Sequence, residues 1–168
     1  MQRHTIAILV NDKPGVLTRV ATLFGQRGFN IDSITVGGSE EEGLSRMVIS
    51  TGGDEQQINQ LMKQLHKLID VISVTHLSAN PYVSRELALI KVSASPSQLA
   101  ELNAIVEPFR ASIVDVGPES LIIQVTGDSE KIDALLILLQ NYGVLELTRT
   151  GSVAMARSIV PAEAAETV

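Results

Sequence analysis

With 168 residues, no cysteine and no tryptophan, the chain has no disulfide framework, thiolate metal site or cysteine nucleophile, and its core must come from Val, Ile, Leu and Ala. A net charge of −6 and a pI near 5.0, with no Lys/Arg cluster interleaved with aromatics, argue against nucleic acid as a partner. The length fits one domain or two, so the pattern along the chain must decide.

From His4 to Val10 the residues Ile6, Ile8 and Val10 alternate with Thr5, Ala7 and Leu9, the period of a strand with one buried face. From Gly15 to Arg27 the apolar residues Val16, Leu17, Val20, Ala21, Leu23 and Phe24 fall at helical spacing, and Gly28 stands where a left-handed cap ends a helix. Ile31 to Val36 and Leu44 to Thr51 flank the polar, Gly-bounded "GGSEEEG" and read as a hairpin. Asp54 with Gln57 forms a capping pair for a second helix that carries Ile58, Leu61, Met62, Leu65, Leu68 and Ile69. Val71 to Leu77 is a fourth strand, and the order is βαββαβ.

"SANPYVSRE" is polar, and the same order begins again after it. Leu87 to Val92 is a strand, and Ser95-Pro96 with Gln98 opens a helix bearing Leu99, Leu102, Val106 and Phe109. Ile113 to Val116 and Leu121 to Val125 pair around Gly117-Pro118. Ser129 caps a helix with Ile132, Leu135, Leu136 and Leu139 inward, and Val144 to Thr150 closes the sheet. The expected class is α+β: two ferredoxin-like βαββαβ units, each a four-stranded antiparallel sheet with two helices on one face. The divisions are residues 1–78, a linker at 79–85, a second unit at 86–160 and a solvated tail at 161–168. The start runs directly into a strand and no apolar run reaches membrane-spanning length, so the expectation is a cytoplasmic chain with no membrane partner.

Catalytic chemistry is hard to find. His4, His66 and His76 show no ligand spacing and read as surface or sheet-edge residues, so no metal is expected. Glu40, Glu41 and Glu42 read as a solvated hairpin tip, and the glycine pairs at 37–38 and 52–53 as turns. No nucleophile elbow, phosphate loop or dinucleotide fingerprint occurs.

The stretch "NDKPGVLTRV" makes one specific offer. A helix start carries unpaired N–H groups and partial positive charge, and Gly15 leaves them without a covering side chain. Two readings fit. Asp12 caps the helix and Pro14-Gly15 makes a turn; or the N–H groups receive the carboxylate of a free amino acid whose ammonium meets Asp12. In the second reading Asn30 of another subunit closes the pocket.

The stretch resembles the Asp-x-Pro-Gly-x-Leu signature of ACT domains. With "LFGQRGFNIDSITVG", "LSRMVISTGGDE", "QLHKLIDVISV", "FRASIVDVG" and "GSVAMARS", the chain is similar to the regulatory small subunits of acetolactate synthase. The resemblance implies a non-catalytic subunit that dimerises through its N-terminal ACT domain and binds and activates a large catalytic subunit. It further implies that thiamine diphosphate, FAD and Mg²⁺ sit on that large subunit, with no cofactor in this chain, and that valine feedback inhibition passes through the small subunit. Carried over by motif, the valine-binding residues are Asp12, Gly15, Val16, Leu17, Asn30 and Ile31, with Asn11 and Thr18 supporting. Relatives often carry Asn where Asp12 stands; Asp keeps the ammonium contact but adds repulsion toward the carboxylate. The second unit has "SASPSQL" in place of the loop, so no second site is expected; Arg149 and Arg157 are candidates for touching the partner. The rivals are a free-standing amino-acid sensor acting on another target and an enzyme with an unseen site.

Overall fold

The structure is a computed structural model that describes residues 2–158, and among these it holds nine strands and four α-helices. Residues 2–83 with 152–158 form one compact unit and residues 84–151 another.

In the first unit, β1 (Gln2–Asn11), α1 (Val16–Gln26), β2 (Ser33–Gly38), β3 (Leu44–Gly53), α2 (Glu55–Leu65) and β4 (Val71–His76) follow one another. The sheet order is β2-β3-β1-β4, antiparallel throughout. Alternation in β1 sends Ile6, Ile8 and Val10 toward the helices, where they meet Val20 and Phe24 of α1, Ile49 of β3, and Ile58 and Leu65 of α2. All of these are at most 1% exposed, and each contributes about 1.5–3 kcal/mol by leaving water. Gly28, at φ 74°, ends the α1 turn in the left-handed region. Asp54 Oδ1 accepts from the Gln57 N–H at 2.8 Å while Gln57 Oε1 accepts from the Asp54 N–H at 3.2 Å, closing the entrance of α2.

The other face of this sheet is covered by the chain's own return. Ala7, Val48 and Leu77 pack with Tyr82 and Ala154, and Thr35 Oγ1 donates to the Ser152 carbonyl at 3.0 Å. Ala154 belongs to β9 (Val153–Ala156), a strand too short to show a period. Residues 152–158 therefore fall in with the first unit instead of ending the second.

The second unit comprises β5 (Tyr82–Ser93), α3 (Leu99–Val106), β6 (Ser112–Val116), β7 (Ser120–Gly127), α4 (Ser129–Leu139) and β8 (Val144–Arg149). Its sheet runs β6-β7-β5-β8, with β9 paired to β5, so it has five strands where four were expected. Ala88, Ile90, Val92, Leu102, Val106, Ile123, Ile132 and Leu135 form its core. The two units share a register shift: it falls between Leu9 and Val10 in β1 and between Lys91 and Val92 in β5, 82 residues further on. At the same offset Phe24 corresponds to Val106, and left-handed Gly28 to Arg110, which adopts φ 51°.

Several local readings change. The supposed linker is partly strand, because β5 begins at Tyr82. Asp128, not Ser129, caps α4: its Oδ1 accepts from the Lys131 N–H at 2.9 Å. The glycine pairs lie inside β2 and β3. His4 is not on the surface: at 3% exposure it shares the inward parity of Ile6 and Ile8. Its Nδ1 lies 3.1 Å from His76 Nε2 and its Nε2 lies 3.2 Å from the Gly53 carbonyl. With Nε2–H donating to that carbonyl, Nδ1 accepts from His76. The tail assigned to 161–168 lies outside the described residues. Among the described residues no helix is long and apolar enough to cross a membrane.

Candidate functional site

The loop Asn11–Gly15 leaves the end of β1 and turns into α1. Val10 neighbours Val71 of β4, and the Asn11 N–H donates to the Asp70 carbonyl at 2.9 Å, tying the loop's start to the turn before β4. The Asp12 N–H donates to the Gly43 carbonyl at 2.8 Å. Gly15 then takes φ 85°, a conformation that L side chains rarely adopt, and becomes the N-cap of α1. No side chain caps the helix. Asp12 is exposed and does not fill that role, so the capped-turn reading fails on this point. α1 also has no acidic residue in its first turn to offset its dipole.

Around this entrance the structure gathers Asn11, Asp12, Gly15, Leu17, Thr18 and the backbone of Val16. The Val16 side chain is 3% exposed and belongs to the core, and its N–H already donates to the Lys13 carbonyl at 3.3 Å. Leu17, at 45% exposed, is the apolar surface available there. Asn30 and Ile31 are elsewhere. α1 has 11 residues, about 16 Å at 1.5 Å per residue, and these two residues follow its far end. Ile31 packs partly against the core. The Asn30 carbonyl accepts from Thr51 Oγ1 at 2.6 Å, and its Nδ2 donates to Asp32 Oδ1 at 3.0 Å. In one chain the residues expected from the sequence therefore fall into two separated groups. β2, which follows Asn30, is an edge strand of its sheet among the described residues.

Two residues at the entrance escape a reading of the sequence. Arg19 Nη2 donates to Asp70 Oδ2, and Arg19 Nη1 lies 3.7 Å from the point a Cβ on Gly15 would occupy. Asp70 is 7% exposed, and its Oδ1 is also 3.5 Å from Asn11 Nδ2. Arg19 follows Gly15 by one helical turn, a signal that was available. Asp70 is brought in only by the β1–β4 pairing, 51 residues from Arg19.

The matching entrance in the second unit is built differently. The Ser95 N–H donates to Gln98 Oε1 at 3.0 Å, a side chain of the same turn reaching back. At the 82-residue offset Asp12 corresponds to Ala94, Gly15 to Ser97 and Arg19 to Glu101, and Glu101 accepts from the Tyr142 hydroxyl. Arg149 is engaged as well: it pairs with Glu86, 4% exposed in its side chain, and with Asp133 at 2.6 Å. Both of its terminal nitrogens are thus held by carboxylates of its own unit. Among the described residues no group of three or more His, Asp and Glu side chains clusters to hold a metal.

The comparisons with known proteins agree over both units. A family model described as the AHAS small subunit-like ACT domain matches residues 6–73, and one described as the small subunit of acetolactate synthase matches residues 85–158. A probable acetolactate synthase small subunit of Archaeoglobus fulgidus is 52% identical over 155 residues, 92% of this chain and 97% of that one. The acetolactate synthase small subunit of Bacillus subtilis is 50% identical over 92% of this chain and 91% of its own. The crystal structure of the acetolactate synthase small subunit from Thermotoga maritima superposes with a TM-score of 0.84 at 47% identity, over 95% of this chain and 100% of that one.

Proposed function

Because the chain belongs to the acetolactate synthase small-subunit family, we propose that it activates a catalytic large subunit and carries feedback inhibition by valine to it. A small subunit implies a large one; activation, valine as effector and a cytoplasmic setting belong to this reading. Thiamine diphosphate, FAD and Mg²⁺ are assigned to the large subunit, and this chain supplies regulation only.

The observation that carries the reading is the uncapped entrance of α1 at Gly15, φ 85°, with exposed Asp12 beside it. A free amino acid is a zwitterion and needs partners of both signs. The first N–H groups and helix dipole suit its carboxylate, and Asp12 suits its ammonium, in charge-assisted bonds of roughly 1.5–3 kcal/mol each. Half-exposed Leu17 offers a small apolar contact. Isoleucine and leucine are one methylene larger, a difference of only about 1–3 kcal/mol. The second half-site, Asn30 at the head of edge strand β2, is 16 Å or so away along α1. In this reading it comes from a second copy paired through the ACT domain, which closes the seat.

Regulation then follows by linkage. If valine binds one arrangement of the dimer better than another and the catalytic subunit distinguishes them, occupancy shifts activity by a coupling of about 1–3 kcal/mol, with no valine near the active centre. The test is calorimetry of the chain with valine, leucine and isoleucine, alongside titration into purified catalytic subunit. Valine heat together with a valine-sensitive rise in acetolactate formation is expected. Valine heat without complex formation would favour the free-standing sensor, and acetolactate formation by the isolated chain would overturn the non-catalytic assignment.

A further inference from the structure

Arg19 does two things at once. Its Nη2 is spent on Asp70, while Nη1 lies 3.7 Å from the empty Cβ position of Gly15, on the side where the proposed seat has no side chain. A guanidinium has five donors in a rigid plane, so one edge can be held by a carboxylate while the other stays available. Asp70 is suited to hold it: it is 7% exposed, its backbone carbonyl accepts from the Asn11 N–H at 2.9 Å, and its Oδ1 is 3.5 Å from Asn11 Nδ2. Asp70 thus ties Asn11, at the start of the loop that contains Asp12 and Gly15, to Arg19 one turn into α1.

We propose that Arg19 is a carboxylate-recognising residue of the effector seat, and that Asp70 is the positioning residue that keeps the Arg19 guanidinium beside Gly15. The inference rests on the reading of that entrance as an amino-acid seat and adds the group that selects for a free carboxylate. The second unit supplies an internal contrast. Where the first has Gly15 and Arg19, the second has Ser97 and Glu101; there Gln98 Oε1 accepts from the Ser95 N–H and the charge is of the opposite sign. Bare glycine and cation occur together in one unit and are lost together in the other.

The experiment titrates the full chain with L-valine and with L-valinamide, which keeps the side chain and ammonium but has no carboxylate. Arg19→Gln, at a side chain 50% exposed, should weaken valine by about tenfold and leave valinamide nearly unchanged, with Arg19→Lys recovering part of the loss. Equal weakening of both ligands would mean that Arg19 only shapes the loop, and unchanged valine affinity would mean that it is not in the seat; either result overturns the proposal. Asp70→Asn should weaken valine in the wild-type background and add nothing to Arg19→Gln, since a positioning residue acts through what it positions; additive losses would overturn that half. Absence of binding of any branched-chain amino acid to the unaltered chain would instead defeat the seat itself, before any variant is made.

Discussion

Two helices enter their sheets at corresponding points, one through a bare left-handed glycine and one through a short turn in which Gln98 folds back on Ser95. At α1 the cap is Gly15 at φ 85° with no side-chain acceptor; ahead of α3, Gln98 turns back onto the Ser95 N–H. The apolar positions that hold the helices are kept in kind: Val10 and Val92, Val20 and Leu102, Phe24 and Val106 are each at most 1% exposed. The fold is specified by that buried set, and the entrance chemistry varies without disturbing it. A repeat can therefore keep a bare glycine entrance in one copy and a side-chain-folded turn in the other at little cost to its packing.

The sharpest way to break this contrast is to fill the open entrance. Gly15→Asp puts a carboxylate of the protein's own in the seat, 3.7 Å from Arg19 Nη1 at its Cβ, and calorimetry should show valine affinity reduced by about 100-fold or more, the loss of two charge-assisted bonds. Because φ 85° strains any L residue, Gly15→Asn is the control: Asn and Asp tolerate the left-handed region alike, so the difference between them isolates the charge. Ser97→Asp at the second unit's entrance should leave valine binding unchanged. Equal losses in Gly15→Asp and Gly15→Asn would show that shape, not charge, governs the seat.

A smaller effect is expected of Asp12→Ala, roughly tenfold weaker valine by titration, the loss of one ammonium contact. Ala94→Asp at the corresponding point should create no site, since Ser97 and Glu101 stand there in place of a bare glycine and a cation. Smaller again is Gln98→Ala. It removes a cap and should lower stability by about 0.5–1 kcal/mol in denaturant melts, with no change in the valine titration. Any loss of valine response in that variant would mean that the second unit's entrance also takes part in regulation.

The local features were legible in the sequence because their causes are local. Asp54 with Gln57, Ser95 with Gln98, and Gly28 as a helix stop all depend on residues within one turn of each other. Features that depend on which strands become neighbours were not legible. Asp70 reaches Arg19 only because β4 lies beside β1, and Glu86 reaches Arg149 across 63 residues for the same reason. β9 is four residues long and takes its place by packing on a face that needs cover, which no periodicity reveals. At α4 two capping residues stand side by side, and Asp128 prevails over Ser129 with an acceptor that reaches the Lys131 N–H. Of the candidate site, the Gly15 entrance could be read from residue types alone. That Val16 points inward, and that Asn30 lies a helix length away, needed the fold.

His4 is the instructive case. Its parity with Ile6, Ile8 and Val10 placed it on the core face, but the imidazole's polarity argued for the surface; the structure satisfies both by pairing the ring with His76 and the Gly53 carbonyl. Burial first, and then the neighbouring His4, push the His76 pKa below its ordinary 6.5, with Glu55 pulling the other way. The folded chain thus prefers a neutral His76, while the unfolded chain takes up a proton as pH drops past the ordinary value. Stability from this group is complete above about pH 6.5 and declines as pH falls below it. Because His76 is only half-buried, solvent screens the effect, and a small fall in Tm is expected between pH 7 and pH 5.5. The second unit has no histidine, so amide exchange followed across that range should show the change confined to the start of β1, the end of β4 and the start of α2. His76→Gln should flatten it there: a neutral amide can still donate to His4 Nδ1 and does not titrate. A pH response of equal size in the β5–β8 sheet would assign it to carboxylates shared by both units instead of to the histidine pair.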